Sequence, residues 1–278
     1  MLGKLIRHEW KRTWKLPALL LGLLQLIALG AGLTFLKPAF QSDFEGIIIL
    51  IGVVWAAFCI AIVGAGFGVT IYLALQFYKS MYSDEGYLTH TLPVSSVQLL
   101  TAKGLVMTLW SLFSYLGIFL SIIIFGLTAM SCYPEMEWSW LLREIGNGWN
   151  ELMAQMRLMG LSLADFVIPG IASALVGLFY TTALIIGSLT IGQLARKHRI
   201  PTAFLAGCVI SMVVSFLQGI LQLSFIYGNI FWRIRVEAEY VFSYMIKGMW
   251  MQILFYVVLT AALFAVSNYI IHKKLNLE

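Results

Sequence analysis

The chain has 278 residues, of which 60% are hydrophobic and 11% charged, and its formal net charge is +5 at pH 7. A soluble domain carries roughly 25% charged residues, so this composition cannot cover a water-facing surface and indicates an integral membrane protein. The apolar runs are long and continuous, which favours spanning helices over the short alternating strands of a β-barrel. We therefore predict a single all-α transmembrane domain over residues 1–278 with six transmembrane helices.

Residues 1–16 place apolar and basic side chains on opposite sides of a helix. Trp10 and Trp14 fall on the apolar side with Leu5 and Ile6. The basic residues of this segment are Lys4, Arg7, Lys11, Arg12 and Lys15. Such a helix lies in a membrane interface, and the alternative is a flexible basic tail. The apolar run that follows is too long for a signal peptide and lacks its cleavage pattern.

Six apolar runs predict the spanning helices, because each reaches the roughly 20 residues that crossing a bilayer requires. They cover about 17–36, 47–77, 104–130, 166–194, 201–227 and 246–271. Pro17 and Pro201 stand in the first turn, where a helix needs no backbone N–H. The second run is longer than a span requires, so we expect it to tilt or to bend at its glycines.

The lysines and arginines predict the orientation. With a cytosolic N-terminus, 12 of the 18 basic residues fall on the cytosolic side, as the positive-inside rule requires. These twelve are Lys4, Arg7, Lys11, Arg12, Lys15, Lys79, Lys103, Arg196, Lys197, Arg199, Lys273 and Lys274. We therefore predict a multi-pass plasma-membrane protein with both termini in the cytosol and a cytosolic loop over 78–103.

The segment 131–165 falls on the outer side and is too polar to cross the membrane. Several of its large apolar residues share one helical face, which predicts an extracellular amphipathic helix on the membrane surface or over the mouth of the bundle. Those residues include Trp138, Trp149, Leu152 and Met156. We expect Gly146 and Gly148 to interrupt this helix.

The sequence offers no pattern of an intramembrane enzyme. All four histidines fall outside the predicted spans, on the side predicted to be cytosolic, and HExxH, GxSxG and the phosphate-binding loop GxxxxGK[ST] are missing. Cys59, Cys132 and Cys208 are scattered and form no metal or disulfide pattern. We expect no catalytic residues, no metal and no cofactor in this chain, and no nucleic-acid partner.

One polar stripe runs along the predicted fifth span, with spacing i, i+4, i+7 and i+11. It consists of Ser211, Ser215, Gln218 and Gln222. Such side chains serve either as hydrogen bonds between helices or as the lining of a substrate path, and the spacing allows both interpretations.

The loop sequence YSDEGYLTHTLPVSSVQLLTAK, residues 82–103, resembles the cytosolic loop of ABC-2 type permeases, the membrane subunits of one class of ABC transporters. The matching residues are Glu85, Gly86, Tyr87, Leu88, Thr89, Leu92, Pro93, Val94, Ser95 and Lys103. The setting is also similar, because an interfacial N-terminal helix comes first and the loop joins spans two and three. One departure is the charged, short segment Arg233–Glu239, where relatives carry a re-entrant pair of helices.

The resemblance implies a permease subunit of a bacterial ABC transporter, and we expect an exporter. It implies an N-terminal elbow helix and a dimer of like or homologous permeases. Each permease would dock on a separate subunit that binds ATP and Mg²⁺, and membrane lipids would surround it. The coupling helix would lie in loop 79–103. The partner-binding residues would be Tyr82, Asp84, Glu85, Gly86, Tyr87, Leu88, Thr89, Leu92 and Pro93. The alternative is a non-transporting scaffold or sensor that binds a cytosolic partner through the same loop.

Overall fold

The computed structural model describes residues 2–34, 45–83, 85–86, 94–132, 138–195, 197–230 and 238–273, and within these ranges all regular structure is helical. The helices are α1 (Leu2–Thr13), α2 (Lys15–Leu33), α3 (Glu45–Tyr82), α4 (Ser96–Ser131), α5 (Trp138–Leu158), α6 (Leu163–Gly192), α7 (Arg199–Ile230) and α8 (Ala238–Lys273). Six of them, α2, α3, α4, α6, α7 and α8, have the length and apolar composition needed to cross a membrane. The predicted class, an all-α multi-pass membrane protein, is confirmed.

Two helices extend beyond the predicted spans into the 78–103 loop. We placed the end of the second span at residue 77 and the start of the third at 104, but α3 continues to Tyr82 and α4 begins at Ser96. Hydropathy marks where side chains turn polar, which is not where a helix must end. Ser80 and Lys103 lie in the helical turns beyond the apolar runs and are hydrogen-bonded to each other, so the connection is shorter than residues 78–103.

The chain divides into two compact units. The first comprises Met1–Gln76 and Leu105–Gly146, and the second comprises Phe77–Gly104 and Asn147–Glu278. Consequently α3 and α4 each contribute residues to both units.

Small residues allow close helix packing in the first unit. Its buried centre consists of Leu24, Ala28, Ala31, Phe58 and Ala65, from α2 and α3. Phe125 of α4 stacks on Phe58 with ring centroids 5.1 Å apart. Gly32 lies so close to Thr128 that a Cβ would overlap the threonine hydroxyl. Glycine is therefore required at this contact, as is common where spanning helices approach closely.

In the second unit, α6 packs along α8 and against α7. The end of α6 approaches the start of α7 so closely that a Cβ on Gly192 would lie 2.8 Å from the backbone nitrogen of Ala203. Further along α6, Tyr180 stacks on Tyr256 of α8 with centroids 4.6 Å apart. The three helices therefore form one bundle held by small residues at one end and by aromatic rings further along.

Helix α5 runs without interruption through Gly146 and Gly148, so the break predicted there is wrong. A glycine costs a helix about 1 kcal/mol relative to alanine, which weakens it without ending it. The helix is amphipathic as expected, but none of its residues is buried. The side chains of Trp138 and Trp149 are about half exposed, at 46% and 50%. The described part of the chain therefore covers the apolar face of α5 only in part.

A short, well-defined turn joins α5 to α6. The N–H of Leu161 donates to the carbonyl of Met156 at 3.0 Å, and that of Gly160 donates to Arg157 at 3.0 Å. With Gly160 at a φ of +66°, this is a Schellman motif. The carboxylate of Asp165 accepts from the backbone N–H of Ser162 at 2.8 Å and thereby caps the start of α6.

Candidate functional site

The candidate site is the loop between α3 and α4 together with the helical turns that carry it, which we call its stems: Phe77–Tyr82 and Ser96–Gly104. Tyr82, Glu85 and Gly86 are the predicted partner-binding residues that the structure describes. The others, Asp84, Tyr87, Leu88, Thr89, Leu92 and Pro93, lie outside the described residues. The geometry of the site is therefore that of its stems and of the first turn of the loop.

Tyr82 lies at the end of the first stem and is 6% exposed. Its hydroxyl is 2.7 Å from the hydroxyl of Thr190 on α6. Thr190 donates its own proton to the carbonyl of Ile186, so Tyr82 is the donor of this bond. The resemblance implies that Tyr82 is a partner-binding residue of the loop. The structure instead places it inside, where it joins the stem to α6.

Lys103 joins the two stems to each other. It is 3% exposed, and its Nζ donates to Ser80 Oγ at 2.8 Å. Ser80 Oγ in turn donates to the carbonyl of Phe77 at 3.1 Å. Burying an ammonium group destabilises a fold unless hydrogen-bond acceptors are held around it. The acceptors around Lys103 therefore determine where its side chain lies. We had matched Lys103 to the family loop from its place in the sequence, and its partner Ser80 carried no sequence signal.

A third bond joins the second stem to α8. Ser96 Oγ, at the start of α4, donates to Asn268 Oδ1 at 2.8 Å. The stems are thus hydrogen-bonded to each other, to α6 and to α8, all within the second unit. A displacement of the loop would therefore be transmitted to two spanning helices.

The first turn of the loop folds back on the end of α3. The N–H of Gly86 donates to the carbonyl of Ser83 at 2.6 Å. A Cβ on Gly86 would lie 2.7 Å from the carbonyl carbon of Met81, so only glycine fits this tight turn. Glu85, immediately before it, is exposed. This turn places a carboxylate on the surface beside the rigid end of α3.

The four residues of the polar stripe on α7 lie in different environments. Gln218 Oε1 accepts a hydrogen bond from the hydroxyl of Tyr256 on α8 at 2.7 Å. Ser211 donates to Cys208 of its own helix at 2.9 Å, while Ser215 and Gln222 are exposed. Gln218 therefore bonds two helices, and its partner Tyr256 could not be identified from the spacing of the stripe.

Among the residues that the structure describes, no group of three or more His, Cys, Asp or Glu side chains could hold a metal ion. No family model, no curated protein and no solved structure matches this chain. The described structure establishes a helical multi-pass membrane protein whose α3–α4 connection is hydrogen-bonded at its base to α6 and α8.

Proposed function

We propose that this chain is the permease subunit of an ABC transporter, an exporter energised by a separate ATP-binding subunit that docks on loop 79–103. The observation that carries the proposal is the match of residues 82–103 to the ABC-2 type loop. Its position between the second and third spanning helices supports the proposal, as does the amphipathic α1 before the first span.

The stems give this loop a mechanical role. Movement of a docked partner would displace the loop, and the Tyr82–Thr190 and Ser96–Asn268 bonds would pass that displacement to α6 and α8. ATP and Mg²⁺ belong to the partner, and a second permease subunit completes the transporter. The proposed setting is a bacterial plasma membrane, with both termini and the loop in the cytosol.

Affinity purification of the full chain in mild detergent tests the proposal, with co-purifying proteins identified and quantified by mass spectrometry. We expect an ATP-binding subunit in stoichiometric amount. Truncating an anchor residue of an interface typically costs about 2 kcal/mol, or roughly thirtyfold in affinity. The Glu85→Lys, Leu88→Ala double variant should therefore lose most of this partner, whereas Thr101→Ala, in the second stem, should keep it.

Two outcomes would count against the proposal. Undiminished recovery of the ATP-binding subunit with the double variant would remove loop 79–103 as its docking site. Stoichiometric recovery of a cytosolic protein without ATPase activity would favour the scaffold or sensor alternative. Solubility and elution volume of the double variant serve as the folding control.

A further inference from the structure

In the first unit, aromatic rings hold the N-terminal helix α1 against the spanning helix α4. The indole of Trp10 stacks on that of Trp110, with centroids 4.7 Å apart and planes 13° apart. Phe113 approaches both indoles, at 5.9 and 5.8 Å. Trp110 Nε1 also donates to Thr13 Oγ1 at 3.2 Å. One indole of this cluster thus belongs to α1, a helix that carries four basic residues, Lys4, Arg7, Lys11 and Arg12.

An apolar groove of about 350 Å³ lies beside these rings and is open on one side. Its walls include Trp10 of α1, Leu21 of α2, and Trp110 and Leu120 of α4. Gly117 helps to keep it open, since a Cβ there would lie 3.0 Å from Leu21 Cδ2. Because α2 and α4 are both long and apolar enough to cross a membrane, a bilayer around them would bring lipid to the open side of the groove. An acyl chain is the apolar group that this environment supplies.

Positive charge accompanies the groove on α1. Arg7 lies one helical turn before Trp10 and Lys11 directly after it, and both side chains are exposed. Residues 2–15 contain the single acid Glu9 against five basic residues. An apolar groove next to exposed cations matches a molecule with an acyl chain and an anionic headgroup. The acyl chain of a zwitterionic lipid would fit the groove equally well, but its headgroup, which has no net charge, would be attracted less strongly to the cations.

We propose that this groove is a binding site for one anionic phospholipid, with an acyl chain along Trp110 and Leu120 and the phosphate against Arg7 and Lys11. The site holds α1 at the membrane interface by adding a specific lipid contact to the general attraction of a basic amphipathic helix. It does not depend on the proposed transport function.

The headgroup is tested on the purified full chain after detergent delipidation. Phosphatidylglycerol or phosphatidylcholine with identical acyl chains is titrated in, and bound lipid is counted by native mass spectrometry. We expect one tightly held phosphatidylglycerol per chain and clearly weaker phosphatidylcholine. Each neutralised cation should weaken binding about fivefold, so Arg7→Gln with Lys11→Gln should lose roughly twenty-five-fold. Arg157→Gln, an exposed cation on α5, should change nothing.

The groove is tested by filling it. Leu120→Trp should abolish the tight phosphatidylglycerol, while Ile122→Trp, equally exposed on another face of α4, should retain it. If Leu120→Trp does not elute as a single species, the groove is tested by photolabelling instead. Wild-type protein is irradiated with phosphatidylglycerol that carries a photoreactive acyl chain, and we expect labelling within residues 105–120. Equal affinity for the two lipids, retention by a folded Leu120→Trp variant, or labelling confined to other segments would each overturn the proposal.

Discussion

Tyr82 and Lys103 occupy positions that hydropathy assigns to a solvated loop, yet both side chains are almost fully buried. Each is held by a hydroxyl from another segment, Thr190 for the tyrosine and Ser80 for the lysine. Leaving a buried polar group without its partner lowers stability by more than the net contribution of its hydrogen bond. Such pairs therefore favour the native packing of the helices over alternative packings that would break the bond. The structure of the loop stems therefore depends on these hydrogen-bonded pairs, and no single residue determines it.

We expect Tyr82→Phe to lower the free energy of unfolding by about 1 kcal/mol, because it removes one buried hydrogen bond and leaves the ring in place. A double-mutant cycle with Thr190→Val isolates the bond, since the bond of Thr190 to Ile186 cancels within the cycle. The measurement is reversible unfolding in mixed micelles. Tyr115→Phe, 61% exposed, is the matched control. Strictly additive effects of Tyr82→Phe and Thr190→Val would contradict the assigned bond.

Replacing Gln218 and Gln222 by leucine, one at a time, should change the free energy of unfolding to different extents. Gln218→Leu removes the acceptor of the Tyr256 hydroxyl and should destabilise the α7–α8 contact by about 1 kcal/mol. Gln222→Leu changes an exposed side chain and should leave the unfolding free energy within about 0.5 kcal/mol. Equal stability of both variants, together with a change in the substrates that stimulate the partner ATPase, would instead favour a substrate path along the stripe.

The apolar runs were sufficient to predict the six spanning helices, because about 20 consecutive apolar residues leave few alternatives in a membrane. The end of α3 at Tyr82 was not predicted, because Ser80 is held by Lys103, a contact 23 residues apart in sequence. Thr190 was missed because a lone threonine in a span carries no periodic signal. The amide of Asn268 indicated a hydrogen bond between helices but did not identify Ser96 as its partner. The amphipathic pattern predicted α5 correctly, but the interruption predicted at Gly146 and Gly148 does not occur.

Among the helices, α5 offers the clearest test of what covers an exposed apolar face. Trp149 and its neighbour Asn150 are both exposed within the chain, so protein packing does not distinguish them. If a membrane interface covers the tryptophan face, burial of such side chains is worth about 1.5–3 kcal/mol. Single cysteines at the two positions, in a variant lacking Cys59, Cys132 and Cys208, should then react differently with an impermeant maleimide.

In sealed vesicles we expect the cysteine at 149 to react at least about tenfold more slowly than that at 150, the factor equivalent to 1.4 kcal/mol. Unfolding in sodium dodecyl sulfate should equalise the two rates, which controls for intrinsic reactivity. Equal rates in intact vesicles would mean that the apolar face of α5 stands in water.

For the molecule as a whole, the distribution of basic residues predicts which loops lie on which side of the membrane. Single cysteines replacing Ser42 and Glu137 should react with an impermeant reagent added outside right-side-out vesicles, and one replacing Ser95 should react only after permeabilisation. Ser95 is exposed in the structure, so protection there would report the membrane and not burial. Labelling of Ser95 from outside would reverse the predicted orientation and remove loop 79–103 from the cytosol.

The turn between α5 and α6 limits how far the end of α5 can stand from the bilayer. Its four residues, Met159–Ser162, would reach about 14 Å if fully extended, and the Schellman motif at Gly160 keeps them much shorter. Since α6 is long and apolar enough to cross a membrane, the turn holds the C-terminal end of α5 close to the point where α6 would enter the bilayer. The rest of α5 is constrained only through that end. Lengthening the turn by a few flexible residues would free that helix to swing away from the surface.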